Sequence, residues 1–115
     1  MLEQPVFLQG LYSFEGSGLD TPMPLKPAVT YSVPGDKRTQ LIYFRAGNSS
    51  PEMIYVLLRR NHKPMRYFAV GAKGAIHVPL AVVEDLHPDT MLEVFLAAPA
   101  GVKGSLVLDI GLVEI

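Results

Sequence analysis

The chain has 115 residues, a net charge of −1 from 10 Lys+Arg against 11 Asp+Glu, and neither Cys nor Trp. That length suits a single domain, residues 1–115, able to bury a core without staples, and the lack of Cys excludes a disulfide scaffold, a zinc–thiolate or iron–sulfur centre and a thiol nucleophile. Apolar residues make up 49% and charged residues only 18%, which excludes a disordered chain and leaves apolar surface for a partner to cover.

The start, Met1-Leu2-Glu3-Gln4-Pro5, is acidic and interrupted by proline, unlike a signal peptide. No apolar run approaches the roughly 20 residues a membrane helix needs. The expectation is a soluble, cytoplasmic chain with no membrane partner.

Beyond it the apolar residues alternate with a strand-like period. Eight short strands are expected, over residues 6–14, 28–33, 39–46, 52–60, 65–70, 75–80, 91–98 and 105–114. Val, Ile, Leu, Tyr and Phe dominate them, as a half-buried pleated surface prefers. Ten Gly and ten Pro punctuate the chain. With no long helix, an all-β, antiparallel β-sandwich is the expected architecture, and a small β-barrel is the alternative. This is the pattern of many accessory β-sandwich domains at the level of architecture alone. An immunoglobulin Cys–Trp–Cys core cannot exist here.

Residues 16–27 hold three prolines and two glycines, so they cannot be regular strand or helix throughout. A loop of this length is expected to be functional, mobile or laid over a partner. Within it, Gly16-Ser17-Gly18 lacks the first glycine of a nucleophile elbow and the strand-to-helix context that goes with one. Asn48-Ser49-Ser50 fits the N-glycosylation pattern, but Pro51 follows at once and a turn explains the segment better.

The hairpin over residues 54–70 carries the most pointed feature. Arg59, Arg60, Lys63 and Arg66 crowd its tip around His62, with Tyr67 beside them. Like charges so close call for solvent or a counter-charge, and the four basic groups are expected to be mostly exposed. Arginine forks suit carboxylates and phosphates, and the tyrosines offer a stacking surface. The acidic overall balance argues against nucleic acid. Segments 39–46, 52–60, 65–70 and 75–80 together read as a meander.

Further along, Gly71-Ala72-Lys73-Gly74 joins two strands, which is not the setting of a nucleic-acid clamp. Pro79 marks a strand end, an edge or a bulge. Residues 81–87 offer the one place for a helical turn, stopped by Pro88, with Glu84, Asp85 and Asp89 as a solvated acidic cluster. The tail runs apolar to Ile115, and Gly111 could mark a bulge that restores Asp109 and Glu114 to one face.

His62, His77 and His87 have no metal-ligand spacing, so no metal or cofactor is expected. No serine, carboxylate or histidine set supports catalysis. Charge is segregated along the chain: −3 over residues 1–25, +7 over 26–73 and −5 over 74–115. Blocks of opposite sign favour head-to-tail or two-fold pairing. The functional expectation is a non-catalytic interaction module, partnered by itself or by another subunit. The rival is a small-ligand domain for a carbohydrate or organic anion at Arg59, Arg60, Lys63, Arg66 and Tyr67.

Overall fold

The computed structural model describes residues 3–115, the side chains of 81–83 excepted. The chain forms two antiparallel sheets packed face to face as a β-sandwich. Its strands are β1 (Gln4–Glu15), β2 (Met23–Pro24), β3 (Thr30–Ser32), β4 (Thr39–Asn48), β5 (Ile54–Arg60), β6 (Lys63–Val70), β7 (Ala75–Leu86), β8 (Met91–Ala97) and β9 (Lys103–Glu114). Sheet A has the order β1-β9-β4-β7. Sheet B has the order β2-β8-β5-β6, and β3 also pairs with β8. The architecture is the expected sandwich rather than the barrel.

Alternation along the strands builds the core. Leu106, Leu108, Ile110 and Leu112 of β9 face Val56 and Leu58 of β5 and Leu92 and Val94 of β8 across the sandwich, all of them nearly or fully buried. Phe44 of β4 stacks on Phe68 of β6 at 4.0 Å between centroids, joining the two sheets.

Several expectations are corrected. Among the described residues there are nine strands, not eight, because residues 16–33 contribute two short ones. The expected strand over 28–33 shrinks to β3. The expected meander does not form: β5 and β6 are a hairpin of sheet B, whereas β4 and β7 lie next to each other in sheet A. The chain crosses between sheets after β4 and again after β6.

Asn48 buckles both crossings. Its buried amide Nδ2 donates to the carbonyls of Glu52 (2.8 Å) and Gly71 (3.1 Å), and its Oδ1 accepts from Ser50 N (2.9 Å). A buried side-chain amide that satisfies two loops supplies what a continuous ladder would.

The helical turn over residues 81–87 is absent; β7 runs on to Leu86 as strand. Two consecutive valines, Val82-Val83, favour extended backbone, and pairing to β4 overrides the weak local signal. The register jumps from Tyr43↔Pro79 to Leu41↔Glu84, so β7 bulges immediately after Pro79. Being an edge strand, it tolerates the proline.

The segment 16–27 is tied down over much of its length. Gly16 N donates to Val102 O (2.7 Å), Gly18 N to Ala98 O (2.9 Å) and the Tyr55 hydroxyl to Leu19 O (2.6 Å). Met23 pairs with Leu96 and Leu25 enters the core. A Cβ on Gly16 would meet the Pro99 carbonyl at 2.1 Å, so only glycine permits that approach.

Glu114 faces the sandwich interior and Asp109 the outside, as simple alternation demands. The bulge lies in β4 at Ile42, opposite a regular β9. Gly111 instead makes room for the Tyr43 ring, which would lie 2.0 Å from a Cβ there. Tyr31 of β3 donates to Glu114 Oε2 at 2.5 Å and shares a 2.8 Å bond with Thr39. This clamp ties sheet B to the end of sheet A. Burial first, and then the bond to Glu114, push the Tyr31 phenol up to about 12.

Candidate interaction surfaces

The basic hairpin closes through Asn61 and His62, both at positive φ (50° and 68°), which suits the twist of an antiparallel pair. Asn61 also pins the tip to β8: its N–H donates to Met91 O and its Oδ1 accepts from Met91 N, both at 2.9 Å. The tip is therefore held in place rather than waving in solvent.

Two of its four basic groups, Arg59 and Arg66, are engaged within the fold. Arg59 lies 4.4 Å over the Phe95 ring and donates to the His62 carbonyl at 2.8 Å. Alternation with Val70 and Phe68 places Arg66, opposite Leu58, on the inner face, where it meets Glu84 of β7 at 3.3 Å. His62 Nδ1 stands 3.1 Å from Glu93 Oε1. Arg60 and Lys63 have no ion-pair partner among the described residues.

Of the four basic groups only Lys63 is exposed. Arg59, Arg60 and Arg66 are half-buried, which corrects the expectation of a mostly exposed patch. Tyr67 is exposed on the outer face of sheet B, 5.6 Å from Tyr55. Arg59 and Tyr67 share that face, Arg66 leaves it, and Arg60 and Lys63 sit at the last pair before the turn. The five sequence-selected residues do not converge on one site.

The charge blocks meet the same fate. Arg38 pairs with Asp85, Arg45 with Asp109, Arg66 with Glu84 and Lys103 with Glu15. Three of the nine basic residues of the middle, Arg38, Arg45 and Arg66, pair with the acidic last third, which weakens the charge argument for self-pairing.

The histidines are dispersed: His62 in the hairpin turn, His77 on the outer face of β7 and His87 beyond the end of β7. Among the described residues no three His, Asp or Glu side chains gather as a metal-ligand set. No helix among them is long and apolar enough to cross a membrane.

A different surface stands out on the outer face of sheet A. The registers place side chains in rows across four strands. One row reads Leu11, Val107, Gly47, Ala75; the next Gln9, Asp109, Arg45, His77; the next Phe7, Gly111, Tyr43, Pro79. Asp109 organises the middle row, accepting from Gln9 Nε2 (3.1 Å) and the Tyr43 hydroxyl (2.9 Å), with Arg45 at 3.8 Å. Burial, then the bond to Asp109, raises the Tyr43 phenol above its ordinary value.

Beside this satisfied polar row stand three exposed large apolar side chains: Phe7 at 55%, Leu11 at 71% and Val107 at 56%. The inner face of β1 is only half covered as well. Val6, Leu8, Tyr12 and Phe14 pack against the core without being buried in it. No residue of β1 is buried, although six of its twelve are large and apolar. Sequence reasoning passed over β1. The signal was present in Val6-Phe7-Leu8 and Leu11-Tyr12, consecutive apolar residues that load both faces of one strand. No protein-family model matches the chain, and no curated protein matches it.

Proposed function

We propose that this protein is a non-catalytic β-sandwich interaction module. It joins a larger assembly, as a self-associating protein or as an accessory subunit, through β1 and the adjoining outer face of sheet A. The observation that carries this reading is β1 itself: a twelve-residue edge strand, apolar on both faces and buried on neither. Edge strands of this kind are normally shortened, charged or covered, because they template pairing with another chain. Exposed apolar side chains on both sides of a satisfied polar row resemble the mixed apolar and polar contacts of an interface.

The test is the mass of the native particle for the wild type and for a Phe7→Lys/Leu11→Lys variant. The wild type is expected to exceed the 12.6 kDa of one chain, and the variant to fall to one chain with its fold intact. A wild-type monomer at tens of micromolar that also fails to co-purify with another subunit overturns the reading.

A second reading keeps the hairpin as a site for a carbohydrate or organic anion. What favours it is the exposed Tyr67 ring beside Tyr55, with Arg60 and Lys63 close in sequence and unpaired among the described residues. A thermal-shift screen of sugars and organic anions, repeated with Tyr67→Ala, tests it. A shift lost in the variant supports it, and no shift from any compound ends it.

A further inference from the structure

The open edge of β1 has a definite hydrogen-bonding parity. Gly16, next in register after Glu15↔Lys103, donates to Val102 O, and Ser49 N donates to Ser105 O on the far side of β9. Directions alternate along an antiparallel strand. The even residues of β1 therefore bond to β9, and the odd ones turn their N–H and C=O groups outward. Phe7, Gln9, Leu11 and Ser13 carry these outward groups. The same odd residues hold the exposed side chains, and among the described residues nothing pairs with this edge.

We infer that β1 of a second copy occupies this edge, antiparallel, with the two-fold axis at Gln9, so that two four-stranded sheets become one of eight. The inference rests on the interaction reading above and names its partner and register.

The strand is complementary to itself in that register. Gln9 meets Gln9 of the other copy, and Phe7 meets Leu11 twice, related by the axis. All are outward-bonding positions, so the central stretch closes with about six backbone hydrogen bonds. On the inner face Leu8 falls opposite Gly10, which lacks a side chain and carries the ring of Tyr12 folded over it; a Cβ there would sit 2.6 Å from the Tyr12 hydroxyl. Leu8 of one copy thus packs on Tyr12 of the other, covering the half-buried inner side as the Phe7–Leu11 pairs cover the outer.

The ends limit the pairing. Pro5 has no N–H to offer the edge. Glu15 falls opposite Glu3, and Lys103, 3.8 Å from Glu15, offsets that like-charge contact. A register slid by two residues loses both Phe7–Leu11 pairs, setting Phe7 against Gln9 or Ser13. A two-fold contact uses each β1 edge once, so it closes on a dimer.

Two substitutions test it. The N–H of Gln9 points outward, so Gln9→Pro removes no backbone bond to β9, only the exposed side-chain bond to Asp109. The expected result is a β-sheet circular dichroism spectrum like that of the wild type and a particle mass halved from two chains to one. The chain contains no cysteine, so Gln9→Cys carries a single nitroxide label. Residues paired across two strands lie about 5.5 Å apart at Cα, and the label–label distance is expected below roughly 20 Å.

The label distance decides the matter should the proline variant fail to fold. A wild-type dimer with distant labels overturns the register and leaves the interaction module standing. A chain that is monomeric alone but forms a stable complex with a different subunit overturns the second-copy inference only. A monomer with no partner overturns both.

Discussion

The hairpin tip of β5–β6 and the edge strand β1 make opposite impressions in sequence and in space. Five basic or aromatic residues at the tip advertise a binding site. In the fold, Arg59 rests on Phe95, Arg66 is paired with Glu84, and Asn61 is latched to Met91. β1 advertises only consecutive apolar residues in a good strand pattern, yet it leaves six large apolar side chains without full cover. Charge density along a sequence is a poor guide to a surface, because a fold brings its own counter-charges to it. Incomplete burial of apolar surface has no such internal remedy, and only another molecule removes it.

The comparison breaks most visibly in the stability of leucine-to-alanine variants. Leu58 of β5 is fully buried, so Leu58→Ala is expected to cost about 2–5 kcal/mol. Leu11→Ala in β1 is expected to cost under about 0.5 kcal/mol in the monomeric state, since little is buried there. Urea unfolding at low protein concentration measures both. Equal losses would mean that β1 is as much core as β5, and its interface role would fall.

The base of the hairpin comes next. Asn48→Ala leaves the buried Ser50 N–H without its acceptor and takes one donor each from the Glu52 and Gly71 carbonyls, at an expected cost of about 1–3 kcal/mol. Hydrogen exchange should then rise first in residues 49–53 and 71–74, ahead of β1. If β1 opens first instead, the hairpin is not the anchored region.

A smaller effect is expected at high pH, from the clamp that ties β9, the neighbour of β1, to sheet B. The Tyr31 phenol ionises near 10 when unfolded and at about 12 in the fold. The unfolded state therefore loses this proton first, and the stabilisation, complete below pH 10, is lost as pH rises towards 12. In Tyr31→Phe the alkaline decline is expected to be shallower than in the wild type. Thermal unfolding at pH 9, 10 and 11 compares the two, and identical slopes would remove Tyr31 from the account.

The smallest effects separate the arginines of the tip. Arg59→Ser loses the stacked contact on Phe95 and one hydrogen bond, for about 1 kcal/mol. Arg60→Ser, with no ion partner among the described residues, is expected to stay within about 0.5 kcal/mol. Neither should alter the particle mass. A change in mass with either variant would return the interface to the hairpin.

The amino-acid pattern by itself determined the strand-rich, two-layer character of the chain, most strand positions and the 54–70 hairpin. Period-two alternation and the turn residues Asn61-His62 act over a few residues, and no distant contact is needed to interpret them. The tertiary structure alone decided which sheet each strand enters, that residues 81–86 extend β7, and that Asn48 is a buried buckle rather than an exposed turn residue. It also decided that Arg66 is answered from β7 and Arg59 from β8, and that β1 lies at an open edge. Gln9 and Asp109 are a hundred positions apart, and only their pairing reveals which side of β1 is left over. Local alternation gives Leu11 and Leu108 the same signature. Which of them is buried depends on whether a second sheet lies over that face, a fact of long-range pairing that no short window of sequence contains.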